Sequence, residues 1–431
     1  MTGKVRKKVS SVSMAMLLFG LMGIWGCSGQ RDRVEELQEM NAEKTVLEVY
    51  AWPDEKDNVK LLADAYMIQH PDVTIHTNIV PISEYSQRML NQKNSAEEMD
   101  CIFCPNTAEA SVWLNKGLLK SLEAWNTQAL EEYYNDWYLE GEEICGSYML
   151  PYRMSRWAVY YNKDLFDAAG IPYPSDDWTW DDYEQIAVKL SGERDGILYY
   201  GSLSFEPTST WWRVPARTMG ANDPMKEEDL AAFEKSAEWI YNLTYEKKAQ
   251  IPYEKQTGSN GSNYDATFLR GNIGMYFSGD WSATILNEAR ANGEMGFEYD
   301  IAPLPHVAGE ERWVLSDAAV ITMVEGTEHP EETWDFMKFV AGEEGAKILA
   351  ENNVIPAWNT KEVREIYLAS SDTPEYREKF FIEGKISSVP SGVHYAESLE
   401  IVREEVSLYL LQEQTREQAF DHIRRELKEI K

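Results

Sequence analysis

Residues that build metal and nucleophile sites are scarce in this sequence. Four cysteines and six histidines occur among 431 residues, and the histidines show no spacing typical of metal ligands. The chain contains no HExxH, GxSxG or Walker-type pattern, the short signatures of zinc hydrolases, serine hydrolases and nucleotide-binding loops. These absences favour a protein without a metal or a cofactor and disfavour catalysis, although carboxylates are too abundant for their number to exclude an acid–base pair.

Positively charged residues are also few relative to negatively charged ones. The sequence has 41 lysines and arginines against 73 aspartates and glutamates, which makes a formal net charge of −32. No basic stripe interrupts this acidic composition. Such a surface favours solubility and repels nucleic acid and anionic membrane faces. We therefore expect no nucleic-acid partner.

Long apolar runs are absent except for one near the N-terminus, at residues 12–25. A basic head precedes this run and consists of Lys4, Arg6, Lys7 and Lys8. The run is shorter than the roughly 20 apolar residues that a membrane-spanning helix needs. The pattern therefore predicts an export signal over residues 1–26. Cleavage would remove the four basic residues and take the formal charge from −32 to −36.

The small residue Gly26 followed by Cys27 resembles the lipobox of bacterial lipoproteins. That resemblance implies that the Cys27 thiol takes a diacylglyceryl group and becomes the new N-terminus. Two acyl chains anchor a protein stably at a membrane, and the polar segment 27–44 would then be a flexible tether. The alternative is an ordinary secretory signal with an incidental cysteine. Either way, we expect the protein outside the cytoplasm.

The remaining cysteines are odd in number: Cys101, Cys104 and Cys145. Cys101 and Cys104 lie in an apolar stretch that predicts a strand, on which residues three apart point to opposite faces. They are therefore poorly placed to pair with each other, and no second Cys or His pair stands at zinc-like spacing. We interpret them as small buried apolar residues, and the pairing state of all three stays open.

Strands and helices alternate along the mature chain, which indicates an α/β protein. Strand patterns occur at residues 45–50, 73–80, 101–103, 157–162, 197–204 and 273–277. Helical patterns occur at 59–68, 84–91, 111–117, 163–169, 180–190 and 230–245. The alternation predicts a mostly parallel sheet covered on both faces. A mature length of about 400 residues exceeds what one core usually organises, so we expect two domains.

Four segments, in this order, resemble the extracellular solute-binding proteins of ABC importers, and specifically the sugar-binding branch that includes maltose-binding protein. The first is 156–172 (RWAVYYNKDLFDAAGIP) continuing to 178–183 (WTWDDY). The others are 268–281 (FLRGNIGMYFSGDW), 299–305 (YDIAPLP) and 332–340 (ETWDFMKFV) reaching 354–358 (VIPAW). The resemblance spans essentially the whole mature chain.

This resemblance implies a type II periplasmic-binding-protein fold. In that fold two α/β lobes, each with a central mixed sheet flanked by helices, are joined by strands that cross between them. We place the crossings near Arg153, Ser316 and Pro356. The N-terminal lobe would comprise 45–153 plus 316–356, and the C-terminal lobe 154–315 plus 357–431. The solute would lie in the cleft, and the lobes would close on it by hinge bending.

In open parallel sheets, ligands bind beyond the carboxyl ends of the strands. This rule selects Trp52, Asn106, Glu206 and the pair Asp280–Trp281, each of which follows a predicted strand. A sugar presents an apolar face that aromatic rings can cover and hydroxyls that polar side chains can bond. The complete predicted set is Trp281, Glu206, Trp52, Asn106, Asp280, Trp211, Arg153, Trp313 and Trp358.

The resemblance adds weight to some of these residues. Trp281 matches the stacking tryptophan that follows the short strand in sugar-binding relatives, and Glu206 with Trp211 resembles a ligand-contacting Glu-Pro…Trp turn. Trp313 stands where relatives often have glycines, so it would change the cleft wall.

Packing roles compete with ligand contact for most of these residues. A tryptophan other than Trp281 is about as well explained by core or rim packing. Asp280 could cap the helix that begins at Trp281, and Arg153 could pair with surface acids. The pairs Asp176–Asp177 and Asp181–Asp182 lie at a helix entrance, where acids favour the helix dipole, so we interpret them as capping residues and not as a glycosidase pair.

The function implied is that of a monomeric solute-binding subunit that delivers a sugar to an ABC permease. Three alternatives stay open. The chain could be the ligand-sensing partner of a membrane receptor kinase, which uses the same fold and cleft. It could bind a peptide or a polyol instead of a sugar, or it could be a secreted carbohydrate-active enzyme.

Overall fold

The computed structural model describes residues 44–92, 98–125, 147–204, 211–252, 255, 264–358, 360–387, 390 and 394–430. The predicted signal 1–26, Cys27, the tether up to residue 43 and Cys145 lie outside these ranges. The strands are β1 Thr45–Ala51, β2 Val73–Ile79, β3 Cys101–Cys104, β4 Met149–Asn162, β5 Gly192–Arg194, β6 Ile197–Leu203, β7 Ile273–Gly279, β8 Tyr299–Pro303, β9 Trp313–Met323 and β10 Lys385–Ser387.

Helices connect and cover these strands. Those of the first half are α1 Lys56–Gln69, α2 Ile82–Gln92, α3 Thr107–Asn115, α4 Lys163–Ala169, α5 Trp180–Leu190, α6 Val214–Arg217 and α7 Glu227–Tyr241. Those of the second half are α8 Tyr264–Phe268, α9 Trp281–Ala291, α10 Pro330–Ala341, α11 Glu343–Glu351, α12 Lys361–Ala369, α13 Tyr395–Leu410 and α14 Arg416–Glu426. None of the helices within the described ranges combines the length and apolar composition needed to cross a membrane.

The helices predicted at 163–169 and 180–190 are confirmed at both ends. The Asn162 side chain accepts from the Leu165 N–H to begin α4, and Gly170 ends it in the left-handed region at φ 65°. Thr179 and Asp182 form a capping box at the start of α5, so the capping interpretation of Asp182 is confirmed. Asp182 thus satisfies a backbone donor at a helix end.

The sheet is mixed and flanked by helices, which confirms the fold class that the family resemblance implies. The mostly parallel sheet predicted from the alternation of strands and helices is wrong at the centre. Strand order is β2-β1-β3-β9-β4-β7-β6-β5, with β10 beside β9 and β8 beside β4. The pairs β1–β2, β1–β3 and β6–β7 are parallel, whereas β9 and β4 run antiparallel to their central neighbours. The strand β9 lies between β3 and β4 although it is far from both in the sequence. The sequence pattern of β9 therefore does not show whether it runs parallel or antiparallel to them.

One strand, β4, belongs to both halves of the sheet. Its first part, Met149 to Arg156, pairs with β9, and its last part, from Trp157 to Asn162, pairs with β7 and β8. An isolated bridge also joins Arg153 to Pro356. Of the predicted crossing points, Ser316 pairs with Arg156, the last β4 residue bonded to β9, and Arg153 and Pro356 form the isolated bridge; a crossing between lobes at these points stays a prediction. The lobe boundaries themselves stay predictions.

Two apolar cores flank these strands. One includes Leu47, Val49, Ile321 and Phe336, and the other includes Tyr183, Phe233, Val406 and Phe420, all fully buried. Because side chains alternate along a strand, β4 contributes Tyr160 to the first core and Tyr161 to the second. The long central strand is thus held by apolar packing on both faces.

Cys101 and Cys104 are free and fully buried in β3, so their interpretation as small buried apolar residues is confirmed. Burial raises the pKa of both thiols well above the usual value, which leaves little of the reactive thiolate at neutral pH.

Candidate functional site

A cavity of about 600 Å³ lies at the ends of the central strands. Its walls come from residues after β1 and β3 and from α2 and α3 on one side, from the short 3-10 helix Trp211–Arg213 and α9 on the other, and from β4 and β9 between them. The lining residues are Trp52, Ile82, Tyr85, Ser86, Pro105, Asn106, Glu109, Arg153, Ser155, Trp157, Trp211, Trp281 and Asp317. Five of the nine predicted site residues are in this set: Trp52, Asn106, Arg153, Trp211 and Trp281.

The first wall is built from residues that directly follow β1 and β3. Trp52 ends the extended run of β1 because Pro53 begins a helical turn, and its ring packs edge-on against Tyr85 with centroids 6.0 Å apart. Asn106 caps α3, its side-chain oxygen accepting from the Glu109 N–H at 2.9 Å. This cap uses the side-chain oxygen of Asn106. The side-chain NH₂ group is a donor, which can form a hydrogen bond to an oxygen atom of a solute.

Arg153 and Glu55 form a buried ion pair at the floor of the cavity. Arg153 Nη2 and Nε lie 2.7 and 2.9 Å from Glu55 Oε2, and the guanidinium carbon is 6.0 Å from the Trp52 ring centroid. Burial opposes the charge on Arg153, but the Glu55 carboxylate outweighs it and holds the pKa of Arg153 above its usual value. Arg153 therefore pairs with a buried acid and not with the surface acids that the sequence suggested.

Three tryptophans form the opposite wall. Trp157 packs edge-on against Trp211 and Trp281, with centroids 4.5 and 5.5 Å away, and the latter two rings are 5.6 Å apart. Trp281 Nε1 donates to the Tyr264 hydroxyl at 2.9 Å. Close packing and this bond fix the ring planes, so the wall is a preformed aromatic surface.

Asp317 completes the floor and is held by a second ion pair. Its two carboxylate oxygens accept from Arg217 Nη1 and Nη2 at 3.1 and 2.9 Å, and Arg217 also donates to the Ser387 carbonyl at 2.8 Å. A bidentate pair of this kind fixes the carboxylate in direction as well as position.

Asp280 lies beside the cavity but is not part of its lining. It is 5% exposed, and its side chain accepts from the Arg156 N–H at 3.0 Å. Burial raises the pKa of Asp280 to about 6, and the nearby charge of Arg153 partly offsets this. Its side chain makes no capping bond to α9, so the capping alternative is wrong: the carboxylate bonds to the crossing strand β4 instead.

Trp313 and Trp358 are placed outside the cavity lining. The Trp313 ring lies against Gly220, where an added Cβ would meet Cζ2 at 2.6 Å. Trp358 is 7% exposed and belongs to the first core. Glu206 falls outside the described residues. Ligand contact by these three residues stays a prediction.

Several lining residues were not predicted, and some of them carried a usable signal. Ser155 and Trp157 occupy alternate positions of β4 after Arg153, so the two-residue period of a strand places all three on one face. Asp317 is the cross-strand partner of Ser155, which only the tertiary register reveals. Glu109 lies one helical turn after Asn106. Nothing in the sequence distinguishes it from the many other acidic residues, so it was not predicted.

The cavity offers aromatic surfaces together with fixed donors and acceptors. Among the described residues, no group of three or more His, Cys, Asp or Glu side chains is arranged to hold a metal ion. What the arrangement can do is cover an apolar ring face and bond the polar rim of a small solute.

The fold and the aromatic cavity define the class as that of the two-lobed α/β solute-binding proteins. The chain belongs to the family of bacterial extracellular solute-binding proteins, whose family model matches residues 52–347. A curated relative from Brucella abortus, named as a binding protein, is 20% identical over 328 residues, which cover 72% of this chain and 74% of the relative.

Solved structures share the fold over nearly the whole chain. A sugar transporter of Rhizobium etli in an open conformation has a TM-score of 0.77 and 24% identity, covering 90% of this chain and 100% of that one. An ABC substrate-binding protein of Listeria monocytogenes in complex with cycloalternan has a TM-score of 0.76 and 21% identity, covering 89% and 98%. Maltose-bound MalE3 of T. maritima has a TM-score of 0.71 and 18% identity, covering 89% and 99%.

Proposed function

We propose that this protein is the extracytoplasmic solute-binding subunit of an ABC importer and captures a mono- or oligosaccharide in the cavity. The observation that carries the proposal is the combination of the Trp157–Trp211–Trp281 wall with the polar floor of Arg153 and Asp317. Aromatic rings cover the C–H face of a pyranose, and fixed ionic groups bond its hydroxyls. The volume of about 600 Å³ lies in the range of small-molecule sites.

The relatives support a carbohydrate over other solutes. The Listeria protein is in complex with cycloalternan and the T. maritima protein is bound to maltose. A mannotriose complex also shares this fold, with a TM-score of 0.73 and 19% identity. We extend this substrate class to the present chain because its cavity has the aromatic and polar groups that sugar recognition requires.

Binding would proceed by lobe closure and delivery. Trp52 and Asn106 approach the cavity from elements before β4, whereas Trp211 and Trp281 come from elements after it. A solute that touches both sets favours the closed state, because these contacts exist together only there. The closed monomer would then present a surface that spans both lobes to the permease.

Attachment to the cell surface is part of the proposal. The signal pattern 1–26 and Cys27 support a protein lipidated at Cys27 and held outside the cytoplasmic membrane, since two acyl chains suffice for stable anchoring. Cys27→Ala should move the full-length protein from the membrane fraction to the soluble extracytoplasmic fraction. Retention of the variant in the membrane fraction would contradict anchoring through Cys27.

The first experiment is a thermal-shift screen of the protein without its signal. Mono- and oligosaccharides, polyols, amino acids and short peptides are tested at high excess, and the recovered ligand is checked for turnover. A ligand in hundredfold excess over its Kd adds about 2.7 kcal/mol to the free energy of unfolding. A shift with one sugar set and no product supports the proposal. A shift with peptides alone overturns the solute class, and turnover of the sugar overturns the binding function.

A further inference from the structure

Glu109 is a lining residue with a carboxylate oxygen that the protein does not use. It is the third residue of α3, and its carboxylate bonds to Ser86. The Ser86 hydroxyl in turn accepts from Trp113 Nε1 at 3.2 Å. Glu109 Oε1 is buried and has no hydrogen-bond partner among the described residues. Burial raises the pKa of Glu109 above the usual carboxylate value.

This arrangement is not explained by helix capping. At the starts of α5 and α14, the side chain at the third helical position, Asp182 or Gln418, bonds back to the N–H of the capping residue. In α3 the carboxylate of Glu109 faces Ser86 and the cavity instead. A buried acceptor without a hydrogen-bond partner destabilises the ligand-free protein. A ligand group that donates a hydrogen bond to this acceptor would remove the destabilisation.

The other charged lining residues are already neutralised. Arg153 is paired with Glu55, and Asp317 is paired with Arg217. Within the described part of the chain, Glu109 is therefore the lining charge without an ion-pair partner. The opposite wall carries a complementary group, because Trp157 Nε1 is a buried donor without a partner among the same residues. A hydroxyl-rich solute satisfies both, since each hydroxyl donates and accepts.

We propose that Glu109 sets the charge selectivity of the cavity: its unused oxygen accepts a hydrogen bond from a hydroxyl or ammonium group of the bound carbohydrate and excludes units that bear a carboxylate or phosphate. The inference rests on the proposed sugar-binding function and narrows its substrate class to neutral or amine-bearing carbohydrates. Repulsion between Glu109 and an acidic sugar acts in a site of low dielectric constant, where like charges interact strongly. Trp157 positions an acceptor oxygen of the same solute.

Two measurements on Glu109→Gln test this, with Glu84→Gln on the exposed surface of α2 as the charge-matched control. Affinities are measured by calorimetry for the neutral sugar found in the screen and for its counterpart oxidised to a uronate. The wild type should prefer the neutral sugar by about tenfold or more, and Glu109→Gln should bind the neutral sugar about tenfold to hundredfold more weakly. The preference against the uronate should shrink in that variant alone.

The second measurement is the urea midpoint of the ligand-free protein at pH 5 and pH 8. Removing an unpartnered buried charge should raise the midpoint of Glu109→Gln relative to the wild type, and more so at pH 8, while Glu84→Gln should not change it. If sugars bind but Glu109→Gln alters neither selectivity nor the midpoint, the inference is wrong and the proposed function stands. If the screen yields no sugar, the carbohydrate function and this inference fall together.

Discussion

Arg153 donates through both Nη2 and Nε to a single oxygen of Glu55, which is 1% exposed at the base of the cavity. Glu55 belongs to the turn after β1, and Arg153 belongs to the central strand β4. The pair therefore ties the first wall of the cavity to the strand that joins both halves of the sheet.

Breaking this pair from one side should destabilise the protein strongly. Arg153→Met leaves the buried Glu55 carboxylate without a cation, with a hydrogen bond from Asn58 Nδ2 to its other oxygen, and we expect a loss of about 3–5 kcal/mol in the free energy of unfolding. The double variant Glu55→Gln with Arg153→Met should recover much of that loss, because no buried charge remains. Urea unfolding measures both.

The exposed pair of Lys361 and Glu365, at 3.6 Å on α12, is the control. Lys361→Ala should cost less than about 1 kcal/mol, as surface pairs do. If Arg153→Met and Lys361→Ala lower the free energy of unfolding equally, the pair of Arg153 and Glu55 contributes no more than an exposed ion pair.

Trp281→Ala should weaken sugar binding by about tenfold or more while the protein stays folded, because the stacking surface is lost from one wall. Calorimetry gives the affinity and circular dichroism the fold. Trp125→Ala is the matched control, since Trp125 stacks on Trp334 and is not among the residues that line the cavity, and it should leave the affinity within about twofold of the wild type. An unchanged affinity in Trp281→Ala would remove Trp281 from the site.

Gly279 should be required for the position of the Trp281 ring. A Cβ at Gly279 would lie 1.8 Å from Trp281 Cζ3, so Gly279→Ala must displace the ring and should lower sugar affinity together with stability, the latter by about 1–3 kcal/mol. Gly296→Ala is the control, because a Cβ there meets nothing within 4 Å. Crystallography of Gly279→Ala with the ring in its original place would contradict this prediction.

Asp280 should make the ligand-free protein less stable as pH rises through about 6. Its pKa is raised from 3.8 to about 6 by burial, so its contribution to stability is complete below about pH 4 and is lost progressively as pH rises from about 4 through about 6. The loss amounts to about 3 kcal/mol. Relative to the wild type, Asp280→Asn should therefore be more stable at pH 8 than at pH 5 in urea unfolding.

The contribution of Asp182 to stability depends on pH in the opposite direction to that of Asp280. Hydrogen bonds from Thr179 lower the pKa of Asp182, so its contribution is present at neutral pH and is lost as pH falls through its folded pKa. Asp182→Asn should thus be less stable than the wild type at neutral pH and converge with it in acid. The same pH trend in both variants would contradict the assignment of Asp280 as a buried acid with a raised pKa.

The predicted secondary structure was accurate where the signals are local. The helix α4 begins at its cap Asn162 and ends at Gly170, and α5 begins at the capping box of Thr179 and Asp182. These ends depend on contacts within four residues, which a sequence displays directly. The direction of β9 was not predicted, because antiparallel pairing with β3 and β4 depends on chain segments far apart.

The residues of the candidate site likewise divide into those that local sequence predicts and those that depend on tertiary packing. Trp52 and Asn106 were predicted because they directly follow strands, and the sheet brings strand ends together. Trp313 and Trp358 have the same residue type but face Gly220 and the first core, because residue type does not report which surface a side chain meets.

By itself the sequence determined the alternation of strands and helices, the positions of local caps, the acidic charge and the resemblance to a sugar-binding family. These properties are local or additive along the chain. Only the tertiary structure decided which tryptophans share a wall, which lining charges are paired, and that Glu109 Oε1 is buried without a hydrogen-bond partner among the described residues. Those properties depend on distances between residues such as Glu55 and Arg153, 98 positions apart, which packing and strand register set.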